Sequence, residues 1–409
     1  MEQKNHSVFN ITVIVAALGY FVDIYDLLLF QIVRVKSLES LGFFGIDNQL
    51  AGEYIINRQM IGLLIGGIIW GIMGDKRGRL SVLFGSIILY SVANIATGFI
   101  ETKEQYAMLR FIAGIGLAGE LGAGITLVAE LLPKEKRGIG TSLVAGIGLT
   151  GAVVANIISK SVDWRYCYFI GGGLGFALLI LRISVFESSM FKTVKQLSVQ
   201  RGNIFMFFNN GERFRRYICS ILIGLPTWYV IGVLVAFSKE FAEKLNIPGA
   251  ISPGDATMYA YVGISVGDVF IGFVSNWMRS RKKALFLFYG LTLIGIFIYF
   301  FATPTTVTGF YILCAYLGFA TGFWAIFVTM AAEQFGTNLR ATAATTVPNM
   351  VRGALPVIIG LFKYLRGEHA DAAQFIRAGL ITGGIVMVIS LVSGLLTRET
   401  YGKDLNYVD

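Results

Sequence analysis

Residues 71–79 read Gly71-Ile72-Met73-Gly74-Asp75-Lys76-Arg77-Gly78-Arg79, and residues 272–281 read Gly272-Phe273-Val274-Ser275-Asn276-Trp277-Met278-Arg279-Ser280-Arg281. Each stretch closes an apolar block and ends in a basic cluster, and their first glycines lie 201 positions apart (71 to 272). A second pair of signals has nearly the same offset. Glu130 and Arg137 bracket one polar link, Glu333 and Arg340 another, and the glutamates lie 203 apart (130 to 333). Two signals at matching offsets predict two parallel halves, as in many transporter folds. The halves are residues 1–186 and 217–409. The polar stretch 187–216 joins them as a cytoplasmic linker expected to carry short surface helices.

Outward from these markers, apolar residues gather in blocks of about 20, the length a helix needs to cross a bilayer core of ~30 Å. Twelve such blocks run at roughly 9–33, 54–73, 80–100, 106–132, 139–158, 166–186, 217–238, 256–278, 284–303, 308–331, 342–364 and 376–397. Of the 409 residues 55% are hydrophobic and 14% charged. A water-soluble domain carries about 25% charged residues, so this chain lacks the polar surface for water. The short alternating segments of a β-barrel are absent. The reading is an all-α integral membrane protein, six plus six helices around a central cavity.

The net charge of +9 reflects topology, and no nucleic-acid partner is inferred. Lys76, Arg77 and Arg79 follow the second block; Lys134, Lys136 and Arg137 the fourth; Lys192, Lys195 and Arg201 the sixth; Arg279, Arg281, Lys282 and Lys283 the eighth. Basic loops stay cytoplasmic, which predicts both termini inside a cell (inner) membrane. Asp23 and Asp26 within the first block identify it as a membrane helix, not a cleaved signal peptide. Cys167, Cys219 and Cys314 all fall inside blocks, so no disulfide framework is expected.

These motifs resemble the major facilitator superfamily across nearly the whole chain. Segment 71–79 is similar to its Gly-x-x-x-Asp-Arg-x-Gly-Arg loop, with Lys76 where Arg is usual. The run Arg110, Gly114, Gly116, Gly119, Glu120, continuing to Glu130, Pro133, Arg137 and Gly138, resembles helix 4 and its exit in one cluster of subfamilies. That cluster holds sugar porters, metabolite and aromatic-acid:proton symporters and organic-ion carriers. Trp164-Arg165 and Glu187-Ser188 fit the same cluster, although Ser189 replaces an expected Pro. Helix 7 reads Gly224-Leu225-Pro226-Thr227-Trp228, without the paired Gln that sugar porters use, which argues against a sugar. The Gly-Pro pair of drug:proton antiporters is also missing from helix 5.

Three lookalike motifs dissolve in this context. Gly114-x-Gly116-x-x-Gly119 and Gly146-x-Gly148-x-x-Gly151 match a dinucleotide fingerprint but sit within membrane helices, where small residues let backbones approach. Gly263-Ile264-Ser265-Val266-Gly267 matches a nucleophile elbow without the strand or His partner it needs. The only histidines are His6 and His369, leaving no metal constellation. No cofactor and no enzymatic activity are expected.

Ionisable residues inside membrane helices are the informative ones, because each costs at least ~2.5 kcal/mol at the bilayer centre. Asp23 and Asp26, three apart, share one face of helix 1, and Arg110 of helix 4 reaches a similar depth. The resemblance implies that Asp26 faces Arg110 and handles a proton, with Asp23 tuning it. Burial favours a neutral acid and a nearby guanidinium favours the carboxylate, so such a group can load and release a proton. A static ion pair stays open as the alternative. Glu120 is either a second proton site or a protonated hydrogen-bond partner of a neighbouring helix.

Arg352, near the middle of helix 11, is suited to grip a carboxylate with two parallel hydrogen bonds, or else is neutralised by Asp268 at similar depth in helix 8. The aromatics Tyr20, Tyr25, Trp228, Tyr229, Tyr316 and Trp324 fall in helices that line the cavity in the family fold; packing is the alternative. The family pattern also implies a gate of Gly71, Asp75, Arg79, Glu130 and Arg137, with Asn276, Glu333 and Arg340 as its weaker counterpart. Together these imply a proton-coupled symporter, acting as a monomer, for a small organic acid or zwitterionic metabolite. A proton-driven exporter, an exchanger and a non-transporting sensor are the rivals.

Overall fold

The computed structural model describes residues 11–132, 134–182, 204–367 and 371–403, and the fold is given for these. Twelve helices are long and apolar enough to cross a membrane: α1 (Val13–Ser40), α2 (Gly45–Gly74), α3 (Leu80–Thr97), α4 (Lys103–Ile125), α5 (Leu143–Ser161), α6 (Trp164–Leu181), α7 (Gly211–Val235), α8 (Pro253–Trp277), α9 (Arg281–Phe301), α10 (Val307–Glu333), α11 (Thr342–Arg366) and α12 (Ala372–Leu396). All twelve apolar blocks are helices, and no strand occurs among the described residues. Several starts carry side-chain caps: Thr102 and Gln105 form a capping box before α4, and Asp371 and Gln374 another before α12, satisfying orphan N–H groups. The predicted linker lies mostly outside the described residues, and α7 begins at Gly211, inside its expected range.

The internal repeat reappears in where the helices break. In α4 the helical run ends at Leu117 and resumes at Glu120; in α10 it ends at Ala320 and resumes at Trp324. The first ends are 203 residues apart (117 to 320). In α5 the run stops at Leu149 and in α11 at Gly353, 204 apart. The two halves thus share their irregularities as well as their spans. An added interruption falls in α7, between Leu222 and Leu225, with Pro226 in the restarting turn and a π-helical segment at Val230–Val235.

Glycines set the helix spacing. A Cβ on Gly114 would strike the Gln59 carbonyl of α2, and one on Gly116 would meet Tyr90 of α3 at 2.7 Å from its backbone nitrogen. Gly151 lies against the Phe21 carbonyl of α1, and Gly263 against the Ala315 carbonyl of α10. The fingerprint-like and elbow-like patterns are therefore helix-packing surfaces.

One buried ion pair holds the first half together. Glu120 of α4 meets Arg182 at the C-terminal end of α6; Arg182 Nη1 donates to Glu120 Oε2 (3.0 Å) and to the Leu83 carbonyl (3.2 Å). Gly19 of α1 makes room, since a Cβ there would collide with both partners. Removing one member of such a pair strands a buried charge, at a cost of about 3–5 kcal/mol. Arg182→Ala is expected to lower the thermal unfolding midpoint in detergent, and Glu120→Leu combined with Arg182→Met to recover most of it. An Arg182→Ala protein as stable as the parent would show that the pair contributes nothing.

Candidate functional site

The chemistry gathers midway along α1 and α11. Asp23 is ten residues into α1 and Arg352 ten into α11, about 15 Å from the helix ends at ~1.5 Å per residue. Arg352 Nη2 lies 3.8 Å from Asp23 Oδ2, and both side chains are essentially inaccessible to solvent. Arg352 Nη1 donates to Asn349 Oδ1 (3.4 Å), and Asn349 Nδ2 donates to the Ala118 carbonyl at the break of α4 (2.7 Å). A polar path therefore runs from α1 to α11 and back to α4, joining the two halves through Arg352.

Asp268, the carboxylate expected to neutralise Arg352, is engaged elsewhere. It accepts a hydrogen bond from the Ala325 N–H (2.9 Å), where the second piece of α10 begins. A helix start presents orphan N–H groups and the positive end of the dipole, so the break in α10 claims Asp268. Arg352 meets Asp23 instead.

Asp26 and Arg110 are neighbours without a direct ion pair. Arg110 donates to Asn94 Oδ1 (2.6 Å) and Thr97 Oγ1 (2.8 Å) and lies over the Tyr168 ring (4.6 Å). Both Asp26 oxygens are buried without a well-formed hydrogen bond, and the Asn94 side chain and the Arg110 guanidinium are the polar groups nearby. Gly171 of α6 provides the space, since a Cβ there would collide with Asp26 Oδ1. Glu120 faces Arg182, as described above, so its guanidinium partner comes from the end of α6.

The aromatics divide. Tyr25 donates to the Cys167 carbonyl (3.0 Å), Tyr229 to Gly379 (2.7 Å) and Tyr316 to Leu291 (3.1 Å), each tying together helices of its own half. Trp324 lies beside Arg352 (5.8 Å from ring centre to guanidinium), and Trp228 meets Trp324 edge-on at 6.5 Å. Tyr20 of α1 and Tyr261 of α8 are buried in the neighbourhood of Arg352 and Asp23. Tyr261, Asn349 and Arg182 escaped the sequence reading. Arg182 alone left a signal there, as the one basic residue in the interior of the sixth block.

Contacts between the halves close this cluster off at both ends. On the face away from the basic loops, Arg34 of α1 pairs with Glu240 (3.0 Å), Glu53 of α2 with Lys363 (3.0 Å) and Arg366 (3.5 Å) of α11, and Lys160 of α5 with Asp255 of α8. On the basic-loop face, Thr342 Oγ1 donates to the Gly71 carbonyl (3.4 Å), and Gly122 of α4 lies against Thr345. Among the gate candidates, Glu333 pairs with Arg281 (3.7 Å) and Arg340 is buried. Asn276 is exposed beside a cavity of about 150 Å³ that Thr141, Arg281 and Thr329 also line. The side chains of Asp75, Arg79, Glu130 and Arg137 lie outside the described residues.

The profile of the Major Facilitator Superfamily matches residues 7–361. A benzoate transport protein of Acinetobacter baylyi is 24% identical, the alignment covering 87% of this chain and 84% of the relative. A niacin transporter of the same organism is also 24% identical and covers 87% of both chains. The fold is similar to that of a proton:xylose symporter solved with 6-bromo-6-deoxy-D-glucose, at a TM-score of 0.75 and 16% identity over 97% of both chains. With twelve apolar helices in the same arrangement, the chain belongs to the Major Facilitator Superfamily and is a multi-pass membrane transporter of small molecules, not an enzyme.

Proposed function

We propose that the protein is a proton-coupled symporter that imports a small carboxylate-bearing metabolite across the cytoplasmic membrane, its basic loops and both termini on the inner side. The observation that carries this reading is the buried contact between Asp23 of one half and Arg352 of the other. A substrate carboxylate competes with Asp23 for the guanidinium. A proton delivered to Asp23 removes the competitor, and the incoming anion replaces the lost negative charge. Proton and anion therefore load together, and the buried charge stays balanced throughout, as a low-dielectric interior requires.

Relatives named for benzoate and niacin transport favour an organic acid as the cargo.

The test is uptake into proteoliposomes carrying the full chain, with radiolabelled benzoate and nicotinate, with and without an inward proton gradient. Uphill accumulation under the gradient and counterflow at equal pH are expected. Counterflow that ignores the gradient would identify an exchanger. Accumulation only under the opposite gradient would identify an exporter, and binding without flux a sensor.

A further inference from the structure

All five tryptophans are described, and their indole N–H groups separate into two sets. Trp70 donates to the Ile115 carbonyl (2.6 Å), Trp164 to Ser40 Oγ (3.0 Å), and Trp277 is exposed. Trp228 and Trp324 are 3% and 4% exposed, yet neither Nε1 has a hydrogen-bond partner. Most buried tyrosines of the second half do find one: Tyr229, Tyr289 and Tyr299 all donate to main-chain carbonyls of neighbouring helices. The two orphan donors are also the two tryptophans that touch each other beside Arg352.

Their place in the chain points the same way. Trp228 follows the interruption of α7 at residues 223–224 and precedes its π-helical segment, and Trp324 opens the second piece of α10. Interrupted helices and π-helical turns in membrane carriers mark binding sites. A buried N–H without a partner is unfavourable in a closed protein unless something else accepts from it.

Building on the carboxylate reading, we infer that Trp228 and Trp324 are specificity-determining residues whose indole N–H groups donate to a second acceptor on the substrate. The substrate class is then a flat aromatic acid with an acceptor, such as a ring nitrogen or an oxygen substituent, on the part remote from its carboxylate. Arg352 takes the carboxylate, the indole faces take the ring, and the indole N–H groups read the acceptor. A site built around such donors discriminates against an isostere that lacks the acceptor, because its polar groups are then left unpaired.

Benzoate and the three pyridine carboxylates make the test, since each pyridine replaces one ring CH by an acceptor nitrogen at constant shape. Calorimetric binding to the purified full chain in nanodiscs is expected to show at least one pyridine carboxylate binding about tenfold more tightly than benzoate. Trp228→Phe or Trp324→Phe should erase that preference, the favoured pyridine carboxylate losing about tenfold more affinity than benzoate. Wild-type protein that binds all four ligands alike, with Arg352 still required, overturns this inference and spares the carboxylate reading. Equal losses for benzoate and the pyridine acids in both variants assign the indoles to ring packing and overturn it as well. Failure of every carboxylate to bind removes both. The wild-type ranking reads the same point should a variant fail to fold.

Discussion

Replacing Arg352 by Ala is expected to lower carboxylate affinity by two to three orders of magnitude. The substitution removes the guanidinium that grips the substrate and leaves Asp23 facing no cation. Truncating one partner of a buried charge pair costs about 3–4 kcal/mol, and each ~1.4 kcal/mol is a factor of ten. Arg352→Lys should restore little, because an ammonium lacks the planar two-pronged donor geometry, and its shorter reach weakens the Asn349 contact as well. Calorimetry with benzoate and nicotinate measures both variants. A neutral or cationic compound that binds the parent protein tightly and is indifferent to Arg352→Ala would end the anion reading. Asp23→Asn combined with Arg352→Ala serves as the folding control, since it removes the stranded carboxylate.

Asp23→Asn is expected to uncouple transport. Asparagine stands in for the protonated acid, so Arg352 is permanently free for the substrate. Binding should become tighter and lose its dependence on pH, whereas in the parent protein affinity should rise as the medium becomes more acidic. The sign follows from linkage: a proton that promotes anion binding is itself held more tightly once the anion is bound. Counterflow at equal pH should persist, and uphill accumulation driven by a proton gradient should fall to the equilibrium level. The comparison variant is Asp26→Asn. Asp26 faces Gly171 and the field of Arg110 without touching Arg352, so its loss should slow transport while accumulation continues. The reverse pattern, accumulation lost in Asp26→Asn and kept in Asp23→Asn, would return the proton to Asp26 and the α4 arginine. Loss of counterflow in both variants would leave the acids as static partners.

The repeat offset is legible in the sequence alone. Gly71 and Gly272, or Glu130 and Glu333, mark equivalent places in two halves, and the helix breaks at Leu117 and Ala320 fall at the same offset. The spans were readable for an equally simple reason: lipid demands about twenty apolar residues in a row whatever the tertiary arrangement. Depth also follows from sequence, because an α-helix rises by a constant step, which placed Asp23, Arg110, Asp268 and Arg352 in the buried middle.

Partnership was a different matter. At similar depth Asp268 was the carboxylate expected for Arg352, and its replacement by Asp23 turned on a break in α10 at Thr321-Gly322-Phe323 that its apolar, small-residue sequence does not announce. That break exposes the Ala325 N–H, which takes Asp268 and leaves Arg352 to Asp23. Glu120 found Arg182 for a similar reason, through a gap that Gly19 opens on a third helix. Sequence by itself determined which charges enter the membrane and how deep they lie, since hydrophobic length and helical rise act along one dimension. Which charge meets which was decided only by the tertiary structure, because the rotation of each helix about its axis and the positions of its interruptions depend on packing against neighbours distant in the chain.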